Sequence, residues 1–365
     1  MLRLTALTSV GIILAWHLSF SPTTLFICLS LCAVISMISP SQTSIALTII
    51  FIGSLLSSSQ AKESNPPLHN LAAERLERLN LGEQSESIAR RITIGSDLPL
   101  DRDRRQDYTQ SGLAHLLSIS GLHVGIVLLI ISALLRAIVL LRHGFIIYNL
   151  TILATLWLFA LSTSLNPSIV RAVTMASIFI ISRLLSLPSN SINTLFATAL
   201  IMTIFDAHII FDVGFQLSFI AVFALFVWAL PLCSLCFGLI APLRYLLCNI
   251  IISTICTLAL APMMCYYFGQ ISLLGILLTP ITLPISCVII ASSLLWIALP
   301  IAPLAAPLTN IIHRSVELQN SLASWGSSRG WGIVGAEPNL PITLTIYTLF
   351  SILSIYILHK RYKSK

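Results

Sequence analysis

The sequence predicts an all-α, polytopic integral membrane protein of about ten transmembrane helices, some broken or re-entrant, with a short extramembrane connector. Three observations predict this class. Charged residues are 9% of the chain, against about 25% in soluble domains, while 56% of its residues are hydrophobic. Several apolar runs reach the roughly 18 to 20 residues that a bilayer requires. Of the 33 charged side chains, 17 lie between positions 60 and 111, so two apolar blocks flank one wet segment. A soluble catalytic domain is excluded, and any function has to be performed in or at a membrane.

Residues 1–59 carry three apolar segments, near 4–20, 23–38 and 43–59, broken at Ser21-Pro22 and Ser39-Pro40. Arg3 before an apolar run imitates a secretory leader, but no clean cleavage pattern follows, so a retained helix is expected. Residues 60–111 mix nine acidic with eight basic residues and read as a solvated connector. Within it Leu71, Leu76 and Leu79 give one short amphipathic helix, and the segment is short for an independent core.

Residues 112–358 form the main membrane domain. Apolar spans fall near 112–135, 145–164, 167–185, 192–205, 213–232, 245–262, 271–299 and 340–358. Pro262, Pro280 and Pro284 lie within them, and prolines so spaced predict broken or re-entrant helices beside a water-filled path. Residues 308–336 have interrupted hydrophobicity and read as interfacial. The last seven residues, 359–365, form a basic tail; Lys360, Arg361, Lys363 and Lys365 there act as a topology signal that favours a cytosolic end.

Polar residues inside apolar spans are expensive and must face protein or water. His115, Ser118, Ser120 and His123, with Gly121 and Gly125, share one such span. On an ideal helix Ser118, Ser120 and His123 lie roughly 60, 140 and 80 degrees from His115, so no single stripe holds all four. Either protein surrounds this helix or it unwinds near Ser120-Gly121. Gly121 and Gly125 also make a GxxxG that permits close helix approach. No third ligand at a recognisable spacing supports a metal site, and no GxSxG supports a serine nucleophile.

Arg171 is either interfacial or buried against a carboxylate or an aqueous path. Beyond the connector the only acids are Asp206, Asp212, Glu317 and Glu337. Asp212 and Gln216 share a helix face at i and i+4, continued by Phe219 and Phe223; that face is core packing or a channel wall. Eight cysteines all lie in apolar runs, and the Cys233/Cys236 CxxC has no second half, so it reads as packing.

Four stretches carry a family resemblance. The string HLLSISGLHV at His115–Val124 resembles the HLLAISGLHV hallmark of the ComEC-type competence proteins. NPSIVRA at Asn166–Ala172 resembles that family's SPSVxRA, DVGFQLSF at Asp212–Phe219 its DPGFQLSF, and APMMCYYFGQ at Ala261–Gln270 its AP…FGQ stretch. The order is right over roughly residues 70–358, although Thr279-Pro280 stands where the family often has asparagine.

The resemblance implies a multi-pass bacterial inner-membrane channel that passes single-stranded transforming DNA during competence. Its partners would be single-stranded DNA, membrane lipid and other uptake proteins: a receptor, a cytosolic translocase and a separate nuclease. Oligomeric state is left open, a homo-oligomer being one alternative. The interval 60–111 is short for the family's OB-like domain, and no HxHxDH string of its metallo-β-lactamase-like domain is present. The expectation is a short form without enzyme activity. No cofactor signature is found, and without a P-loop any ATP-driven motor would be another protein.

On this reading Arg171 contacts phosphate, His115, Ser118, Ser120, Gly121 and His123 shape the narrow part, and Asp212, Gln216 and Ser218 position those groups or gate them. The rival expectation is a transporter or flippase for a small or lipidic substrate, or a non-transporting remnant of a competence channel.

Overall fold

The computed structural model describes residues 67–95, 98–186, 190–329 and 332–363. The three apolar segments expected within 1–59 lie outside the described residues. The described chain is helical apart from one two-stranded ribbon, and it divides into two compact units. Among the described residues one unit holds Val170–Phe219; the other holds Asn65–Ile169 and Ile220–Lys365.

The helices in chain order are α1 (Pro67–Glu77), α2 (Glu83–Ile94), α3 (Arg102–Gln110), α4 (Gly121–Leu134), α5 (Gly144–Ser162), α6 (Pro167–Leu184), α7 (Ser191–Phe205), α8 (Val213–Ala224), α9 (Leu230–Ser234), α10 (Ala241–Phe268), α11 (Gly275–Ala298), α12 (Ala302–Ser328) and α13 (Leu340–Lys363). Strands β1 (Gln270–Ser272) and β2 (Ile333–Gly335) pair antiparallel, with Ile271 opposite Val334. α8 and α9 are joined by a π-helical turn at Leu225–Ala229. Among the described residues six helical stretches are long and apolar enough to cross a membrane: α5, α6, α8 with α9, α10, α11 and α13. α4 and α7 are apolar but shorter.

The charged segment folds into α1–α3 and contributes to a core. Acidic Glu83 and Glu86 occupy the first turn of α2, where the helix dipole favours negative charge, and Gly95 closes it in the left-handed conformation. Leu76, Ile88, Ile92 and Tyr108 are fully buried with Leu274, Leu278, Ile289, Ile290, Ile312 and Val316 of the α11–α12 region. Charge therefore marks only the outer faces of these helices, because a helix needs only one apolar stripe to dock. Leu76 and Leu79 are buried as the periodicity predicts, whereas Leu71 is exposed and Ala72 takes the inner position. His69 Nδ1 donates to the Ser162 carbonyl at 3.0 Å, tying α1 to the end of α5. Trp296 Nε1 donates to the Arg75 carbonyl at 2.6 Å, and the Arg75 guanidinium donates back to the Ile297 carbonyl, tying α1 to α11.

The prolines do not break the helices, contrary to the expectation of broken or re-entrant spans. α10 runs through Pro262 and α11 through Pro280 and Pro284. A proline at position i leaves the carbonyl at i−4 without its helical donor. For Pro284 that carbonyl belongs to Pro280, and the Tyr245 hydroxyl of α10 donates to it at 3.2 Å. Near Pro262, the Tyr347 hydroxyl of α13 donates to the adjacent Ala259 carbonyl at 3.0 Å. At Pro284 a neighbouring helix thus supplies the missing donor, one way a proline is tolerated at membrane depth.

Residues 308–336 read as interfacial rather than spanning, and α12 is not among the six stretches long and apolar enough to cross a membrane. Most belong to α12, an amphipathic helix laid along α11 with Leu308, Ile312, Val316 and Ala323 buried. Gln319 and Asn320 are buried too, accepting from Ser286 at 3.0 Å and from Tyr108 at 2.9 Å. The basic tail is not separate from the last helix, which continues to Lys363.

Candidate functional site

Two groups of residues singled out in the sequence fall in the two units. The first begins where α3 ends. Ser111 is buried and Gly112 turns the chain with φ +76°. The Leu113 amide then donates to the Tyr108 carbonyl at 2.8 Å, closing the end of α3. A 3-10 turn at Ala114–Leu116 follows, and helix resumes only at Gly121. The expected span from 112 to 135 is therefore corrected to a folded loop followed by a short helix.

Within that loop Leu113, Leu116, Leu117 and Ile119 are buried while His115 and Ser118 are exposed. The polar side chains close the loop on itself. His115 Nδ1 donates to the Gly112 carbonyl at 3.1 Å, and Ser118 Oγ donates to the His115 carbonyl at 3.2 Å. Ser120, half-buried in extended conformation, is the N-cap of α4. Its amide donates to His123 Nδ1 at 3.0 Å, so His123, 2% exposed, replaces the usual Glu or Gln of a capping box. His123 Nε2 is buried.

Gly121 is exposed. A Cβ on Gly125 would meet nothing within 4 Å, so the expected GxxxG contact is not made among the described residues. Close approach occurs at glycines that the sequence reading passed over. A Cβ on Gly112 would lie 2.7 Å from the Gly275 amide nitrogen, one on Gly275 2.8 Å from the Gly112 carbonyl, and one on Gly326 2.8 Å from Ser111 Cβ. Ser272 Oγ of β1 and Ser327 Oγ of α12 donate to Gln110 at 2.7 and 2.9 Å. The loop's base is thus clamped by three elements. Isolated glycines in apolar runs signal such contacts.

The second group lies on α6 and α8. Asn166 Oδ1 accepts from the Ser168 amide at 3.1 Å and starts α6. Ser164 and Leu165 just before it hold φ of 52° and 50°, a left-handed conformation costly for residues other than glycine. Arg171 is 4% exposed on α6. Its guanidinium carbon sits 6.0 Å from the Phe215 ring centre and 5.7 Å from that of Phe219, within cation–π range. The two rings lie 4.3 Å apart and tilted by 35°.

Asp212 N-caps α8, its Oδ1 accepting from the Phe215 amide at 2.6 Å, and its charge favours the Arg171 cation. The Arg171 side chain is buried within this unit. Gln216 Nε2 donates to the Ile210 carbonyl at 2.8 Å. Ser218 is half-buried on α8. The aromatic partner missed in the sequence is Phe215. Phe223, expected on this face, instead meets Phe350 edge-on at 6.5 Å. With Asp212 as cap, Phe215 and Phe219 at i and i+4 share one stripe.

A family model described as "Competence protein" matches residues 92–360. The chain belongs to the competence protein family. The competence match takes in both residue groups, from the Ser120/His123 cap to the Arg171 cluster. The chain is 27% identical over 203 residues to ComE operon protein 3 of Bacillus subtilis (strain 168), an alignment covering 55% of this chain and 24% of that protein. It is 34% identical over 126 residues to an uncharacterized protein of Aquifex aeolicus (strain VF5), covering 34% of this chain and 28% of the relative. These alignments span about a quarter of each relative's own length. No solved structure matches.

Proposed function

We propose that this chain forms the membrane part of a conduit that passes single-stranded DNA across the bacterial cytoplasmic membrane during competence. The observation that carries the proposal is the Arg171 cluster: a guanidinium set against one side of a pair of aromatic rings, near a carboxylate, inside the competence-family region. A polyanion crossing a membrane needs contacts that are favourable enough to enter and weak enough to leave. An arginine contributes phosphate affinity. Asp212 weakens its field, so that phosphate is not trapped, and the paired rings hold the guanidinium plane in place. The Ser120/His123 cap and the glycine clamp at Gly112 fix the shape of the loop before α4. DNA receptor, translocase and nuclease functions belong on this reading to separate partners.

The test is import of labelled DNA into a nuclease-protected cytosolic pool, comparing intact cells, a gene deletion and Arg171→Gln after membrane expression is verified. Loss of import in both, with surface DNA binding unchanged, is expected. Normal import in the deletion would overturn the reading and favour a transporter or flippase for a small or lipidic substrate.

A further inference from the structure

α9 and α10 form a helical hairpin across residues 235–240, and three of the chain's cysteines sit in it. Cys233 lies on α9, Cys236 in the turn, and Cys248 two turns into α10. Cys233 lies one residue from the end of α9 and Cys248 faces it from α10. Their hydrogen bonds are reciprocal. Cys233 Sγ donates to the Cys248 carbonyl at 3.7 Å, and Cys248 Sγ donates to the Cys233 carbonyl at 3.9 Å. Each sulfur therefore lies over the other residue's backbone. Cys236 sits one turn beyond Cys233, its amide donating to the Cys233 carbonyl at 3.0 Å. Cys233 and Cys236 are buried, Cys248 is half-exposed, and all three are free thiols.

The sequence pattern alone gave a half-complete CxxC with no partner; the fold supplies the third sulfur from the facing helix. We propose that Cys233, Cys236 and Cys248 form a thiol–disulfide exchange site in which Cys248 is the entry thiol and one sulfur of the CxxC is the resolving thiol. The oxidant is an organic or protein disulfide. Cys248, the accessible sulfur, attacks it as the thiolate; the oxidant's S–S bond breaks, a mixed disulfide forms, and one thiol leaves with the proton that Cys248 gave up. The facing sulfur then attacks Cys248 Sγ, the mixed disulfide breaks, and a second thiol leaves. Two cysteine thiols are oxidised and one disulfide is reduced to two thiols. The product covalently joins α9 to α10, fixing the hairpin that the reduced state holds without a covalent link. Geometry favours Cys233 as the resolving residue because its reciprocal contact already sets the two side chains face to face.

The experiment treats the full chain in detergent or native membranes with 4,4′-dithiodipyridine, a disulfide whose released thiopyridone is counted by absorbance, followed by peptide mapping without reduction. The expected result is a Cys248–Cys233 or Cys248–Cys236 link with two thiopyridones released per link. Cys248→Ser should reduce crosslinking in this hairpin at least tenfold, whereas Cys256→Ser, outside the cluster, should leave it unchanged. Stable mixed disulfides with one thiopyridone per cysteine, or a link confined to Cys233–Cys236, would overturn the assignment. Circular dichroism of Cys248→Ser and a second variant, Cys248→Ala, separates loss of the thiol from loss of the fold.

Discussion

The Tyr108 hydroxyl donates a hydrogen bond to Asn320 Oδ1 at 2.9 Å across 212 residues of sequence. Both side chains are buried, and the bond joins the charged α3 to the inner face of α12. Burial pushes the Tyr108 phenol above its ordinary value, so it is the neutral donor throughout the physiological range.

Replacing Tyr108 with Phe leaves the Asn320 acceptor buried without its donor and should cost about 1–3 kcal/mol, measured by thermal or denaturant unfolding in detergent. The pH dependence has a definite sign. A raised value in the folded state means that the contribution is complete below the ordinary tyrosine value of 10.0 and is lost as pH climbs from there through the raised value. Wild type should therefore lose stability in that alkaline window, and the loss attributable to this group should be missing in Tyr108→Phe.

Tyr245→Phe removes the donor to the Pro280 carbonyl and should destabilise by about 1 kcal/mol. Pro284→Ala restores a main-chain N–H at the position that normally serves that carbonyl. A double-mutant cycle should accordingly show strong coupling, with Tyr245→Phe nearly neutral in the Pro284→Ala background. Equal costs in both backgrounds would show that the phenol does not serve the proline.

Glycine substitutions should separate sharply. Gly112→Ala meets both a positive φ and backbone atoms at 2.7 and 2.9 Å, and should cost more than about 2 kcal/mol or abolish stable expression. Gly125→Ala enters open space inside a helix and should gain about 0.5–1 kcal/mol. Thermal shift measurements on the two purified variants decide this.

Asp212→Asn keeps an N-cap side chain able to accept from the Phe215 amide but removes the charge near Arg171. On the conduit reading the variant folds, binds single-stranded DNA more tightly and imports it more slowly. Import time courses set beside binding at two salt concentrations test this, since a phosphate contact weakens with salt. Unchanged affinity and rate would remove Asp212 from the DNA path.

The membrane class and the succession of apolar helices were legible because a span needs a long apolar run and little else. The loop at Ser111–Ser120 was half legible: angular arithmetic showed that His115, Ser118, Ser120 and His123 cannot share a stripe, but not which alternative resolves the conflict. Proline positions misled, because the donor that rescues the Pro280 carbonyl lies on another helix and leaves no local mark. For the same reason Phe215 and Cys248 were missed, each being defined by a partner distant in sequence. The amphipathic face of α1 was legible from its leucine spacing, whereas the inner stripe of α12 was muted by charges on its outer side.

The shared core of α1–α3 with α11 and α12 also dictates an order of assembly. Leu76, Ile88 and Tyr108 leave the ribosome long before Leu274, Ile312 and Val316 exist, and contacts of such high sequence separation form late and slowly. Until the C-terminal third is synthesised, the face of α1–α3 that packs on α11 and α12 lacks those partners. Biogenesis of this protein is thus a holding problem as well as an insertion problem, and a chain stalled before α11 presents that bare face to chaperones and proteases.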